Sequence, residues 1–155
     1  MDDLKVFHLN NNKYYIFLEK NEDITRSKIK KNFMKIISVE KPLIENKNNE
    51  NNENNENILN LDEWEKMETL LRMTKYGFDK VYGWNFTKQH ILLKDLEKIK
   101  NLVNANLDFF NKYDLNKNWE NNLDICIENE KKRHKNTTCF ICCKKGHFAI
   151  NCHED

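Results

Sequence analysis

Apolar and polar positions alternate up to Leu18 in a way that predicts a β-hairpin. Leu4, Val6 and His8 fall on one side of an extended chain, with Lys5, Phe7 and Leu9 on the other, because successive strand side chains point to opposite faces. Asn10, Asn11 and Asn12 supply turn chemistry, and Tyr14, Ile16 and Leu18 against Tyr15 and Phe17 make a second strand. With apolar residues on both sides, the expected sheet is covered on both faces. Asp23 is placed to cap a helix through Ile24, Ile29 and Phe33, and Ile36, Ile37 and Val39 predict a third strand.

From Asn46 to Asn57 the chain is almost purely Asn and Glu, with no apolar residue to bury, so an insert spanning 45–59 is expected to be a disordered loop. Order is expected to resume at Asp62, three residues before Glu65, the spacing of an N-cap with a reciprocal Glu. Trp64, Met67, Leu70 and Leu71 give one apolar helical face, and Gly77 fits a C-terminal stop. Thr87 is a candidate cap for a longer helix carrying Leu92, Leu96, Ile99, Val103, Leu107 and Phe110. Leu115, Trp119, Leu123 and Ile127 repeat the three-and-four spacing and predict a further helix packed back on the domain.

The resulting expectation is an α+β class: a small antiparallel sheet flanked by helices over residues 1–112, a helical extension over 113–135, and a cysteine-rich tail over 138–153. A chain of 155 residues has room for one modest domain plus appendages. Lys+Arg 26 against Asp+Glu 25 leaves a formal charge of +1, so overall charge does not argue for a polyanionic partner. Three Gly and one Pro favour regular elements over a loop-rich scaffold, and the asparagine excess reflects compositional bias. The start has no basic n-region and apolar h-region, and no apolar run approaches the ~18 residues of a membrane span. The expected setting is intracellular, cytoplasm or nucleus, with no membrane partner.

Of five cysteines, Cys126 stands apart and four crowd into the tail, a clustering that points to metal rather than to disulfides. Cys139, Cys142, His147 and Cys152 form C-x2-C-x4-H-x4-C. A short Cys-x2-Cys bend lets two thiolates grip one Zn²⁺, and the next two ligands close a tetrahedron. Gly146 allows the backbone to turn sharply before the histidine. So short a segment buries no core, and structural zinc supplies on the order of 10–16 kcal/mol of folding energy in small peptides. With all four ligands from protein the ion is structural. A register through Cys143 gives C-x3-C-x3-H-x4-C instead, and Cys143 is otherwise expected to be an exposed spare thiol.

The tail closely resembles the retroviral-type zinc knuckle (CCHC) across all four ligands. The resemblance implies a small apolar platform, with Phe140 and Phe148 stacking on unpaired bases beside Ala149. Lys144 and Lys145 can reach phosphates, and Lys131, Lys132, Arg133 and Lys135 form a basic run just upstream. Residues 131–152 contain no Asp or Glu, and with zinc and three thiolates counted about +5 remains there. The expected function is zinc-dependent nucleic-acid binding, single strands favoured. Some knuckles bind proteins, and a protein-interaction module is the alternative.

A second, weaker resemblance covers the first ~110 residues. VFHLNNNKYYIF (Val6 to Phe17) and DEWEKMETLLRMTKYGFDKVYGWNF (Asp62 to Phe86), followed by the knuckle, resemble a branch of the GIY-YIG nuclease superfamily known in large DNA viruses and some protists. The resemblance implies a catalytic tyrosine at Tyr15, an arginine near Arg26, Ser27 or Lys28, and a metal-binding glutamate at Glu65 or Glu68. It is degenerate: Phe7 stands where the family has its first tyrosine, Phe17 where the second motif has glycine, and Trp84 for the second glycine of a GG pair. Glu65 has a capping role as its alternative. The expectation is an inactive nuclease-like scaffold carrying the knuckle, with an active metal-dependent endonuclease as the rival.

Overall fold

The computed structural model describes residues 3–46, 59–88, 90–135 and 141–143. The strands are β1 (Leu4–Leu9), β2 (Lys13–Leu18), β3 (Ile36–Glu40) and β4 (Val81–Tyr82). The helices are α1 (Glu22–Lys31), α2 (Leu61–Tyr76), α3 (Leu93–Ala105), α4 (Leu107–Asn111) and α5 (Trp119–Lys135). The class is α+β, as the periodicity predicted. One sheet runs in the order β3-β1-β2-β4.

β1 and β2 form the expected hairpin, with Val6 opposite Ile16 and Phe7 opposite Tyr15. Asn11 and Asn12 take left-handed φ of 62° and 56°, a conformation asparagine tolerates because its short amide can bond locally. Asn10 ties this turn to the start of β3: its N–H donates to the Lys35 carbonyl at 3.0 Å, and its side-chain oxygen accepts from the Lys35 N–H at 3.0 Å. β3 pairs antiparallel with β1 as expected, through a bulge.

The expected purely antiparallel sheet is mixed instead, because β4 pairs parallel with β2, Tyr14 opposite Val81 and Tyr15 opposite Tyr82. Two residues are too short a strand for alternation to reveal.

Ile37 and Val39 of β3 are exposed, whereas the β1–β2 hairpin is covered on both faces. On one, Val6, Ile16 and Leu18 pack with Met67, Leu70 and Leu71 of α2, Ile99 and Val103 of α3, and Trp119 and Leu123 of α5. On the other, Phe7, Leu9, Tyr15, Phe17 and Tyr82 pack with Ile29 of α1. Lys100 of α3 donates to Asp124 of α5 at 2.8 Å, so α5 folds back on the domain as its apolar spacing required. Among the described residues no helix is long and apolar enough to cross a membrane.

Several helix boundaries differ from expectation. Asp23 lies inside α1, whose N-cap is Asn21 with no side-chain cap bond. Only Thr25 and Ile29, four apart, are buried in α1; Ile24 is exposed, and Phe33 lies past the helix at φ 59° and is 93% exposed. One row at i, i+4 suffices to seat a two-turn contact, so the other apolar residues are left outside.

Helix α2 is capped by Asn60 rather than Asp62, its side-chain oxygen accepting from the Glu63 N–H at 2.8 Å. Asn and Asp cap about equally well, and Leu61 is already helical. Gly77 ends α2 as expected, at φ 125° with its N–H on the Met73 carbonyl.

Thr87 caps nothing: α3 begins after Leu92 and ends at Asn106, whose side-chain amide donates to the Leu102 carbonyl at 2.8 Å and separates α4. The long periodic run is therefore two helices. Leu115 precedes α5 rather than belonging to it.

The segment after β3 is held onto α2 by a buried polar cluster. Glu68, fully buried, accepts from the Leu43 and Ile44 N–H groups at 3.0 and 2.8 Å and from Arg72 Nε at 2.7 Å. Arg72, also buried, donates to Glu40 and to the Lys41 carbonyl, both at 3.0 Å, with its guanidinium over the Tyr14 and Tyr76 rings. Trp64 Nε1 donates to the Ile44 carbonyl at 2.8 Å. Asn46 exchanges two hydrogen bonds with the Leu59 backbone at 2.7 and 3.1 Å. The insert expected between them, residues 47–58, lies outside the described residues.

Candidate functional site

Two regions carry candidate chemistry, a cleft on the α1 side of the sheet and the C-terminal basic segment. The cleft, of about 270 Å³, opens between β2, α1, α2 and the loop after β4. Tyr15 reaches it from β2, Lys28 from α1, Glu65 from α2, and Trp84 and Thr87 from the loop. Chain alternation explains Tyr15: in register with Phe7 and Tyr82, it must face α1 rather than α2.

The cleft separates the candidates that spacing left open. Glu65 lines it, whereas Glu68 is sealed in the Arg72 cluster on the opposite face of the sheet. The capping alternative for Glu65 is overturned, because Asn60 does the capping and Thr69 Oγ1 donates to the Glu65 carbonyl within the helix. Of Arg26, Ser27 and Lys28, only Lys28 lines the cleft. Arg26 pairs with Glu22 at 3.4 Å and lies 4.8 Å over the Phe7 ring.

Phe7 itself is buried against Phe17, ring centroids 4.5 Å apart. The first-strand position thus brings no hydroxyl to the site. Burial, and then the Glu65 carboxylate, push the Tyr15 phenol above its ordinary value, while a hydrogen bond with Thr87 opposes them. The net effect favours the protonated phenol.

The loop that forms one lip depends on Gly83. A β-carbon there would stand 2.5 Å from Thr69 Oγ1 and 3.0 Å from Ile16 Cβ, so the strand, α2 and the loop meet closely only because it is glycine. Gly83 and Phe86 exchange two backbone hydrogen bonds at 3.1 and 2.8 Å, closing a tight turn over Trp84 and Asn85. Thr87 and Trp84 were missed as cleft residues: Thr87 reads as a helix cap, and Trp84 only as standing for the second glycine of a GG pair.

At the other end of the molecule, α5 buries Trp119, Leu123 and Ile127 and exposes Lys131, Lys132 and Arg133. Lys131 pairs loosely with Glu128 at 3.8 Å. Arg133 is more engaged, contacting His90 and lying 3.6 Å from Glu130. Glu130 is buried, with His90 Nε2 3.0 Å from both its oxygens and His134 Nε2 at 3.2 Å. This cluster borders a small hollow that includes Cys126, whose thiol burial pushes up. It was not legible in the chain because His90 and Glu130 are 40 residues apart.

Of the tail, Ile141 and Cys142 form a turn and Cys143 follows at φ 61°, exposed. The remaining expected ligands Cys139, His147 and Cys152, the stacking candidates Phe140 and Phe148, and Lys144 and Lys145 lie outside the described residues. Lys135 ends α5.

No family model matches the chain, and neither do the curated proteins or solved structures with which it was compared.

Proposed function

We propose that the chain is a zinc-dependent nucleic-acid-binding protein that favours single strands. One observation carries the reading: α5 exposes Lys131 and Lys132 in its last turns, directly ahead of a C-x2-C-x4-H-x4-C segment that contains no carboxylate. Cations at a helix C-terminus are favoured by the helix dipole in any protein. Here they continue beyond the helix into Lys144 and Lys145, which dipole compensation does not require. Cys139, Cys142, His147 and Cys152 would hold the ion, and zinc would supply the folding energy of the tail. Phe140 and Phe148 would stack on bases.

The test is a salt titration of binding to labelled single-stranded and duplex probes. If five of the cations engage phosphates, log Kobs falls against log salt with a slope of about −3.5 on single strands. Binding that ignores salt, or no binding to either probe, overturns the reading in favour of a protein-interaction module.

A second reading, divalent-ion-dependent cleavage of phosphodiesters, is favoured by the cleft that gathers Tyr15, Lys28 and Glu65 from three separate segments. Glu65 would hold the ion, and Lys28 would face the phosphate. Phe7 offers no hydroxyl to help activate water, which is why this reading stands second. It expects Mg²⁺- or Mn²⁺-dependent nicking of supercoiled DNA that Glu65→Gln reduces at least ~100-fold. No nicking with either ion removes it.

A further inference from the structure

Trp84 is an unusual place for an indole. Its φ of 48° lies in the left-handed region, where a bulky residue is rarely found, and the ring is only partly covered. The turn closed by Gly83 and Phe86 fixes its backbone. Its Nε1 donates to Asp62 at 3.1 Å, and Phe86 meets its edge at 5.5 Å. Backbone, N–H and ring edge are thus all held before any ligand arrives.

Two cations lie over the ring. Lys66 of α2 and Lys98 of α3 bring their ammonium groups to 5.7 and 5.5 Å from its centroid. Among the described residues neither forms an ion pair, and neither does Lys28, which lines the cleft together with Trp84. Two lysines, each without a carboxylate partner among the described residues, thus meet over one partly exposed aromatic plane. As core cover, this arrangement is wasteful: an aliphatic side chain would shield Phe86 without left-handed backbone, and lysines on α2 and α3 could face solvent anywhere.

We infer that Trp84 is a stacking platform for an unpaired nucleic-acid base, with Lys66, Lys98 and Lys28 as partners for the flanking phosphates. An indole face accepts any base, and an ammonium on a flexible stem can swing from the ring to a phosphate oxygen when a base arrives. A single strand suits such a platform, since a paired base cannot leave its neighbour to reach the ring. The inference rests on the nucleic-acid reading but not on the zinc tail, and it gives the folded domain a strand contact of its own.

The test uses the full zinc-loaded chain, titrated with the oligonucleotide dT12 and with a matched duplex while indole fluorescence and anisotropy are followed. Trp64 and Trp119 are buried, so quenching on binding reports Trp84. The wild type is expected to be quenched by dT12 and weakly or not by the duplex. Trp84→Ala is expected to lose the quench and roughly 5- to 150-fold of affinity, the range for one stacked base, with zinc content unchanged. Trp84→Phe should recover most of the affinity, and K66Q/K98Q should lower it and flatten the salt dependence.

Equal affinity in Trp84→Ala and wild type overturns the inference, as does dT12 binding without quench. So does binding of polyglutamate in place of dT12, which would make the site one for an acidic protein. If Trp84→Ala does not fold, K66Q/K98Q decides, and an unchanged affinity there is equally fatal. A C139S/C142S variant separates the two proposals. Loss of binding there with Trp84→Ala unaffected removes this site and keeps the tail, while the reverse removes the tail and keeps this site.

Discussion

Replacing Glu68 with alanine is expected to lower stability by about 3–5 kcal/mol, the cost of removing one partner from a buried ion pair. The carboxylate holds three donors at once: the Leu43 and Ile44 N–H groups and Arg72 Nε. Without it, two backbone N–H groups and a guanidinium stay buried with fewer acceptors, each desolvated without return. Arg72 keeps Glu40 and the Lys41 carbonyl, but Glu40 is half-exposed and screened by water. Urea unfolding at constant m-value measures the loss as a shift in midpoint. A change under about 1 kcal/mol would mean the segment from Glu40 to Ile44 is held by apolar packing alone. Replacing Glu68 and Arg72 together by Leu and Met is expected to recover the part of the loss due to the stranded guanidinium, but not the part due to the Leu43 and Ile44 N–H groups, which still lack their acceptor.

Withdrawing zinc is the second large effect. Under the proposed function, a chelator removes on the order of 10–16 kcal/mol of folding free energy from the tail, enough to unfold it outright. Among the described residues the sheet and its helices bury their core without a tail residue, so helical circular dichroism should barely change. Single-strand affinity should fall at least ~10-fold, because both rings of the platform lose their frame. Re-adding zinc should restore it. Purified protein with no stoichiometric zinc, or binding unmoved by the chelator, overturns the knuckle reading.

The hairpin was legible because alternation and three consecutive asparagines speak for the same structure, and the two-sided sheet followed from Phe7 and Phe17 sharing strands with Val6 and Ile16. Helix ends were less so. Asn60 and Asp62 are equally able caps, and choosing the wrong one hid the role of Glu65. Tyr15 and Glu65 were both nominated, yet spacing could not choose Lys28 over Arg26. That choice depends on which side of a short helix packs on the sheet, and Thr25 and Ile29 together decide it. The Glu68–Arg72 pair looks, in sequence, like an ordinary i, i+4 surface bridge, since burial depends on the β3–α2 segment crossing above it. Trp84 was hidden for a different reason: nothing local marks a tryptophan as left-handed and flanked by lysines from two helices.

Asn46 has one more consequence. Its single amide meets both the carbonyl and the N–H of Leu59, so the residues that flank 47–58 on either side are clasped together. Whatever number of residues evolution threads through residues 47–58, the first turn of α2 keeps its footing. Doubling that number would add only about 0.6 kcal/mol of closure entropy, which makes this the spot where the protein can gain or shed sequence cheaply.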